Sequence, residues 1–115
     1  MDKNDALAAL AALAQDTRLD AFRLLVRHEP HGLAAGEAAA QLAVPQNTLS
    51  THLAILARAG LVSAQRQGRS IVYRAGIERL QALSLYLLRD CCGASAEQCA
   101  PLLTTACCTQ PGAKP

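Results

Sequence analysis

The stretch from Leu42 to Leu56, Leu-Ala-Val-Pro-Gln-Asn-Thr-Leu-Ser-Thr-His-Leu-Ala-Ile-Leu, constrains the chain more than any other. Leu49, Leu53 and Leu56 stand at i, i+4 and i+7, which draws one apolar stripe along a helix. At ~100° per residue, Asn47, Thr51, Ala54 and Arg58 fall on the opposite face. That face carries small polar groups and one arginine, with no carboxylate. The alternative is an ordinary solvated face, but short outward side chains are what a helix needs to reach base edges in the major groove of DNA. The surrounding charge favours the groove. Between Glu37 and Glu78 there is no acidic residue, while Arg58, Arg66, Arg69 and Arg74 all fall inside. The net charge is only +2, so it is the distribution that suits a phosphate-binding surface.

A length of 115 residues suits one domain with one core. The hydrophobic share is 51%, yet aromatics make up only 3%, and Ala and Leu supply much of the rest. Small side chains build a thin core, so an oligomer is expected. No apolar run approaches a membrane span, and Met-Asp-Lys-Asn does not open a secretory leader. A cytoplasmic protein without a membrane partner follows. Its thiols then stay reduced, and five cysteines point to metal or redox chemistry rather than to a disulfide framework.

Along the chain, Asn4 or Asp5 can cap a first helix to about Ala14, with Leu7, Leu10 and Leu13 at i, i+3 and i+6. Asp16-Thr17 opens a second helix to Arg27, with Leu19, Phe22, Leu25 and Val26 expected to face inward. Pro30 and Gly32 punctuate its end, and His28 and His31 read as surface loop histidines. Ala35 to Leu42 forms the first helix of a helix-turn-helix, with Ala38 and Leu42 spaced to pack under Leu49 and Leu53. Val44-Pro45 makes the turn, and proline is tolerated at a helix start. The reading helix runs from Gln46 to Arg58, with Gly60 at its left-handed C′ position. Leu61–Gln67 and Ser70–Ala75 read as two strands with Gln67-Gly68-Arg69 at the tip, a basic wing. Arg66 and Arg69 flank that tip within reach of phosphate or the minor groove. A last helix is expected from Ile77 to Asp90, with Ile77, Leu80, Leu83, Leu87 and Leu88 on a broad apolar face. A winged core leaves little surface of its own to bury both terminal helices. They are expected to pair across a two-fold axis, giving a homodimer with two reading helices.

The fold class is therefore mainly α with a β-hairpin, a homodimeric winged helix-turn-helix of order α-α-α-α-β-β-α. Residues 1–90 form the DNA-binding and dimerisation domain, and residues 91–115 a cysteine-containing segment and tail. In Cys91-Cys92-Gly-Ala-Ser-Ala-Glu-Gln-Cys99, Gly93 lets the backbone turn so that the three sulfurs can converge. Zinc ordinarily takes four ligands. Trivalent arsenic or antimony is thiophilic and is satisfied by three sulfurs, so Cys91, Cys92 and Cys99 are candidate ligands for As(III) or Sb(III), with no organic cofactor. Cys107 and Cys108 can supply an extra ligand, a second site, or nothing.

Three segments carry a family resemblance: Leu13-Ala-Gln-Asp-Thr-Arg-Leu-Asp-Ala-Phe-Arg-Leu-Leu, Asn47-Thr-Leu-Ser-Thr-His-Leu-Ala-Ile-Leu, and Ala59-Gly-Leu-Val-Ser-Ala-Gln-Arg-Gln-Gly-Arg. They resemble the ArsR/SmtB family of winged-helix metal-responsive repressors over about residues 5 to 99. The Cys-Cys…Cys cluster is similar to that of the arsenical-responsive subgroup. The resemblance implies a repressor that binds double-stranded operator DNA as a homodimer and is released by arsenite or antimonite. It also implies DNA contacts from Asn47, Thr48, Ser50 and Thr51 on the helix and from Arg66 and Arg69 on the wing. His52 matches the family pattern too, but lies only ~60° from the leucine stripe, where it can orient the helix or touch a phosphate rather than read a base. The chain departs from the pattern in having Pro45 where the cap is usually Ser, and Thr51 where Arg is frequent. Gly36-Glu-Ala-Ala-Ala replaces the Cys-Val-Cys of the founding arsenical repressors, and the last helix has no His for a zinc site.

Two other functions compete. One is a repressor that senses oxidants or sulfide, with Cys99 or the distal pair resolving a sulfenate on Cys91 or Cys92. The other is a thiol-rich metal-sequestering protein with no role on DNA. An enzyme is not expected: no Cys-x-x-Cys precedes a helix in a βαβ setting, and Ser50 and His52, at i and i+2, face different directions.

Overall fold

The computed structural model describes residues 1–89. Their elements are α1 (Lys3–Leu13), α2 (Asp16–Arg27), β1 (Leu33–Ala34), α3 (Ala35–Leu42), α4 (Gln46–Arg58), β2 (Val62–Gln67), β3 (Ser70–Ala75) and α5 (Ile77–Leu88). This is a winged helix-turn-helix, with α3 and α4 as the helix pair and β2–β3 as the wing.

The leucine stripe of α4 is the centre of the core. Leu49, Leu53 and Leu56 are fully buried together with Leu25 of α2 and Leu61 beyond α4. Ala38 of α3 is buried in the same cluster, and Leu42 packs partly buried against it. Gly60 ends α4 with φ +81°, a left-handed conformation that glycine adopts without a Cβ penalty.

The sheet has one strand more than the hairpin expected from the sequence. Its order is β1-β3-β2, all antiparallel. In β1, Leu33 pairs with Tyr73 and Ala34 with Val72, which ties the segment entering α3 to the inner strand of the wing. A two-residue strand has no alternation for a sequence pattern to show.

One helix face differs from expectation. On α2, Leu19 and Val26 are exposed, while Ala21, Phe22, Leu24 and Leu25 are buried. Leu19 and Val26 are seven residues apart and so share a flank, clear of the stripe that points at α4. On α1 the buried residues are Ala6, Ala9 and Ala12. Small side chains let α1 lie close against the rest of the domain, and Leu7 and Leu10 turn outward while Leu13 packs partly buried against the core. The caps shift as well. Asp2, rather than Asn4 or Asp5, caps α1 in a reciprocal box with Asp5, and Gln15 caps α2 by accepting the Arg18 N–H at 2.8 Å.

Between α3 and α4 the turn runs through Ala43, which has φ +58° and caps α3 in the left-handed region. Such a conformation costs an L-residue roughly 1–2 kcal/mol. Among the described residues, no helix is long and apolar enough to cross a membrane.

Candidate nucleic-acid interface

The segment expected to touch DNA comprises α4 and the wing, and residues of both line one groove. Pro45 is the N-cap of α4 and offers no side-chain cap, and the first turn holds no acidic residue. The free N–H groups and the positive end of the helix dipole there favour anions. Asn47, Thr48 and Thr51 are exposed and Ser50 is half-buried.

Local hydrogen bonds set what each group can offer. Asn47 Oδ1 accepts the Thr48 N–H at 2.9 Å, which leaves the Asn47 amide hydrogens turned outward as donors. The Thr51 hydroxyl donates to the Asn47 carbonyl at 3.2 Å, so its oxygen is free to accept. Of the sequence-derived contacts, Asn47 is thus a donor and Thr51 an acceptor toward any ligand on this face.

His52 differs from these. It is half-buried, and Arg18 Nη1 lies 3.3 Å from its Nδ1. Arginine has donors only, so Nδ1 is the acceptor in this contact, which leaves Nε2 as the ring nitrogen able to donate. The same guanidinium donates from Nε to the Ala12 carbonyl at 2.7 Å. Arg18 therefore joins the end of α1 to the middle of α4 and sets the orientation of His52. The sequence put Arg18 inside a family-like segment but gave no sign of this bond, which spans 34 residues.

The arginines divide into two kinds. Arg58, Arg66 and Arg69 are exposed, and none has an ion-pair partner among the described residues. Arg66 sits opposite Ile71 near the hairpin tip, and Arg69 lies in the tip itself. Arg74 belongs elsewhere. Its Nη2 donates to Glu29 Oε1 at 2.8 Å and its Nε to Oε2 at 3.3 Å, while Glu29 Oε2 also accepts the Ala75 N–H at 3.1 Å. The hydrogen bonds and charge of Glu29 raise the Arg74 pKa above the ordinary arginine value. Arg74 is thus a bracket between the α2–β1 loop and the wing, and is withdrawn from the phosphate-binding set that the sequence placed it in.

Among the described residues no three His, Cys, Asp or Glu side chains are grouped to hold a metal ion. His28 and His31 lie in the α2–β1 loop, as expected. The candidate metalloid ligands Cys91, Cys92 and Cys99, the further pair Cys107 and Cys108, and the expected helix end at Asp90 all lie outside the described residues.

Residues 13–63 match a helix-turn-helix domain model. The chain is 34% identical over 97 residues to the transcriptional activator HlyU of Vibrio cholerae, covering 83% of this chain and 87% of HlyU. A solved HlyU structure superposes with a TM-score of 0.61 at 33% identity, covering 80% of this chain and 99% of that one, and HlyU has also been solved reduced. An ArsR-like transcriptional regulator from Rhodococcus sp. RHA1 has a TM-score of 0.69 at 26% identity, over 93% of this chain and 96% of that one. The homodimeric winged helix-turn-helix DNA-binding domain of Mb0332 from Mycobacterium bovis has a TM-score of 0.62 at 25% identity, over 76% and 79%. The class is a winged-helix transcriptional regulator with a helix-turn-helix DNA-binding domain. Within it, the chain belongs to the ArsR/SmtB family.

Proposed function

We propose that the protein is a cytoplasmic transcriptional repressor that binds double-stranded operator DNA as a homodimer and is released by trivalent arsenic or antimony. The observation that carries the DNA reading is the face of α4 and the wing. It bears Asn47, Thr48, Ser50, Thr51, Arg66 and Arg69 with no carboxylate, on a helix whose other side is locked into the core. In this reading α4 enters the major groove, Arg66 and Arg69 reach phosphate or the flanking minor groove, and His52 is an oriented Nε2–H donor.

What supports the dimer is the placement of large apolar side chains. Leu7 and Leu10 of α1 are 53% and 40% exposed, and Leu85 and Leu87 of α5 are 54% and 55% exposed. Such a set on the two terminal helices suits burial against a second copy. The Mb0332 domain, of the same fold, is homodimeric.

The inducer site rests on the cysteines. In this reading sensing falls to Cys91, Cys92 and Cys99, with Cys107 and Cys108 as further candidates, because Gly36-Glu-Ala-Ala-Ala stands where founding arsenical repressors carry Cys-Val-Cys and the last helix has no His. Capture of a three-coordinate metalloid just beyond α5 would bias the dimer geometry. Coupling of ~1–3 kcal/mol, about 5- to 150-fold in DNA affinity, is typical of such a device. The test is a metalloid titration of the reduced protein on a duplex selected for binding, read as bound metalloid per protomer and as DNA release. One metalloid per protomer with release, lost on Cys→Ser substitution at residues 91, 92 and 99, is expected. No release by arsenite or antimonite contradicts the choice of ligand.

A second reading is favoured by the likeness to HlyU, a relative solved in a reduced form. In it, peroxide or persulfide oxidises the thiols and relieves DNA binding, and dithiothreitol restores it. HlyU is an activator, so a reporter assay also tests the direction of control.

A further inference from the structure

Between the reading helix and the wing lies a groove of about 390 Å³. Gln46 and Ser50 line it from α4, and Arg69, Ser70 and Tyr73 line it from the wing. None of these five side chains has a hydrogen-bond or ion-pair partner among the described residues. All five carry donors, the only charge among them is that of Arg69, and no carboxylate lines the groove. Glu37 of α3 is near in sequence, but it accepts the Ala34 N–H at 3.3 Å and is not part of the lining. Five unengaged donors with a single positive charge match a singly charged anion that has several acceptor oxygens.

The placement says which anion. A helix in the major groove and a hairpin at the adjoining minor groove must straddle one sugar–phosphate strand, and that strand passes through the space between them. We propose that this groove seats a phosphodiester of the straddled strand, with Arg69 as its counter-charge and Gln46, Ser50, Ser70 and Tyr73 as its hydrogen-bond donors. The proposal rests on the DNA reading above and deepens it by adding Gln46, Ser70 and Tyr73, which lie off the outward face of α4. Gly36 has a part as well. A Cβ at Gly36 would stand 3.3 Å from Gln46 Oε1, so its absence leaves room for the glutamine side chain against α3.

Tyr73→Phe removes one hydroxyl and keeps the ring that packs beside the core, and a thermal melt matching wild type verifies the fold. Fluorescence anisotropy then compares wild type, Tyr73→Phe and Gln46→Ala on a selected duplex and on an unrelated duplex. A phosphate seat predicts a loss of about three- to tenfold, equal on both duplexes, because phosphate contacts carry no sequence information. Replacing each phosphate in turn by an uncharged methylphosphonate should find a linkage in each half-site where wild type weakens and Tyr73→Phe weakens no further. Losses confined to the selected duplex, or additive with every linkage, overturn the seat. So does inorganic phosphate that fills the groove and is not displaced by duplex. If wild type binds neither duplex, the DNA reading itself fails; if wild type binds both and Tyr73→Phe binds equally well, the seat alone fails.

Discussion

Helices α1 and α4 each bury three residues at helical spacing, but they use opposite side chains. On α4 the leucines go inward and small polar groups remain outside. On α1 the alanines go inward, and Leu7 and Leu10 remain outside. In α4 the apolar stripe serves the fold of one chain and leaves the other face exposed. In α1 the fold takes the small side chains, with Leu13 partly buried beside them, and leaves Leu7 and Leu10 exposed, the pair proposed above to meet a second copy. An i, i+3 leucine repeat therefore marks an apolar surface without saying which molecule covers it.

Substitutions on the two helices test that contrast. The largest effect is expected at Leu53, fully buried in α4. Leu53→Ala removes methyl groups from the centre of the core and leaves a cavity, so stability should fall by about 2–5 kcal/mol in urea unfolding. A loss under about 1 kcal/mol would show that α4 is not the pillar described here. Next comes Ala9, with no exposure at all. Ala9→Leu retains good helix propensity yet forces extra volume between α1 and its neighbours, at a cost of about 1–3 kcal/mol. If the variant instead gains stability, the alanine face is not the packed one.

The outward leucines should behave in the reverse way. Leu7→Ala and Leu85→Ala should leave protomer packing nearly intact and weaken self-association by about 1 kcal/mol each, roughly fivefold in dissociation constant. Sedimentation velocity across a dilution series reads this directly. A monomer–dimer balance unchanged in the double variant would remove these side chains from the interface. The smallest effect is expected at the turn before α4. Ala43 is left-handed, and Ala43→Gly relieves that strain while loosening the unfolded chain. A net gain of about 0.5 kcal/mol should remain, with DNA affinity unchanged, in denaturant melts and binding isotherms on the same samples.

What could be read in the sequence was set by how local its cause is. The bounds of α4, the Gly60 terminus and the paired strands of the wing follow from periodicity and turn residues within a few positions, and they stand as expected. What the sequence does not show is long-range or competitive. The Glu29–Arg74 bracket spans 45 residues and the Arg18–His52 bond spans 34, and no local pattern announces either. The choice of alanines over leucines on α1 depends on how closely its neighbours approach, which composition alone does not state. On the candidate interface, Ser50 and Arg69 line one groove, while Asn47, Thr48, Thr51 and Arg66 are exposed on α4 and the wing. Gln46 and Tyr73 emerge only once α4 and β3 are seen facing one groove.

The central claim is that one face of this chain meets DNA while the leucines of α1 and α5 hold two such faces in register. Sedimentation equilibrium of the protein on a selected duplex tests it most directly. Two protomers per duplex are predicted, on half-sites about 10 base pairs apart or a multiple of that, with the Leu7→Ala/Leu85→Ala variant needing a higher protein concentration to reach the same stoichiometry. One protomer bound per duplex, at wild-type affinity and indifferent to half-site spacing, would contradict it.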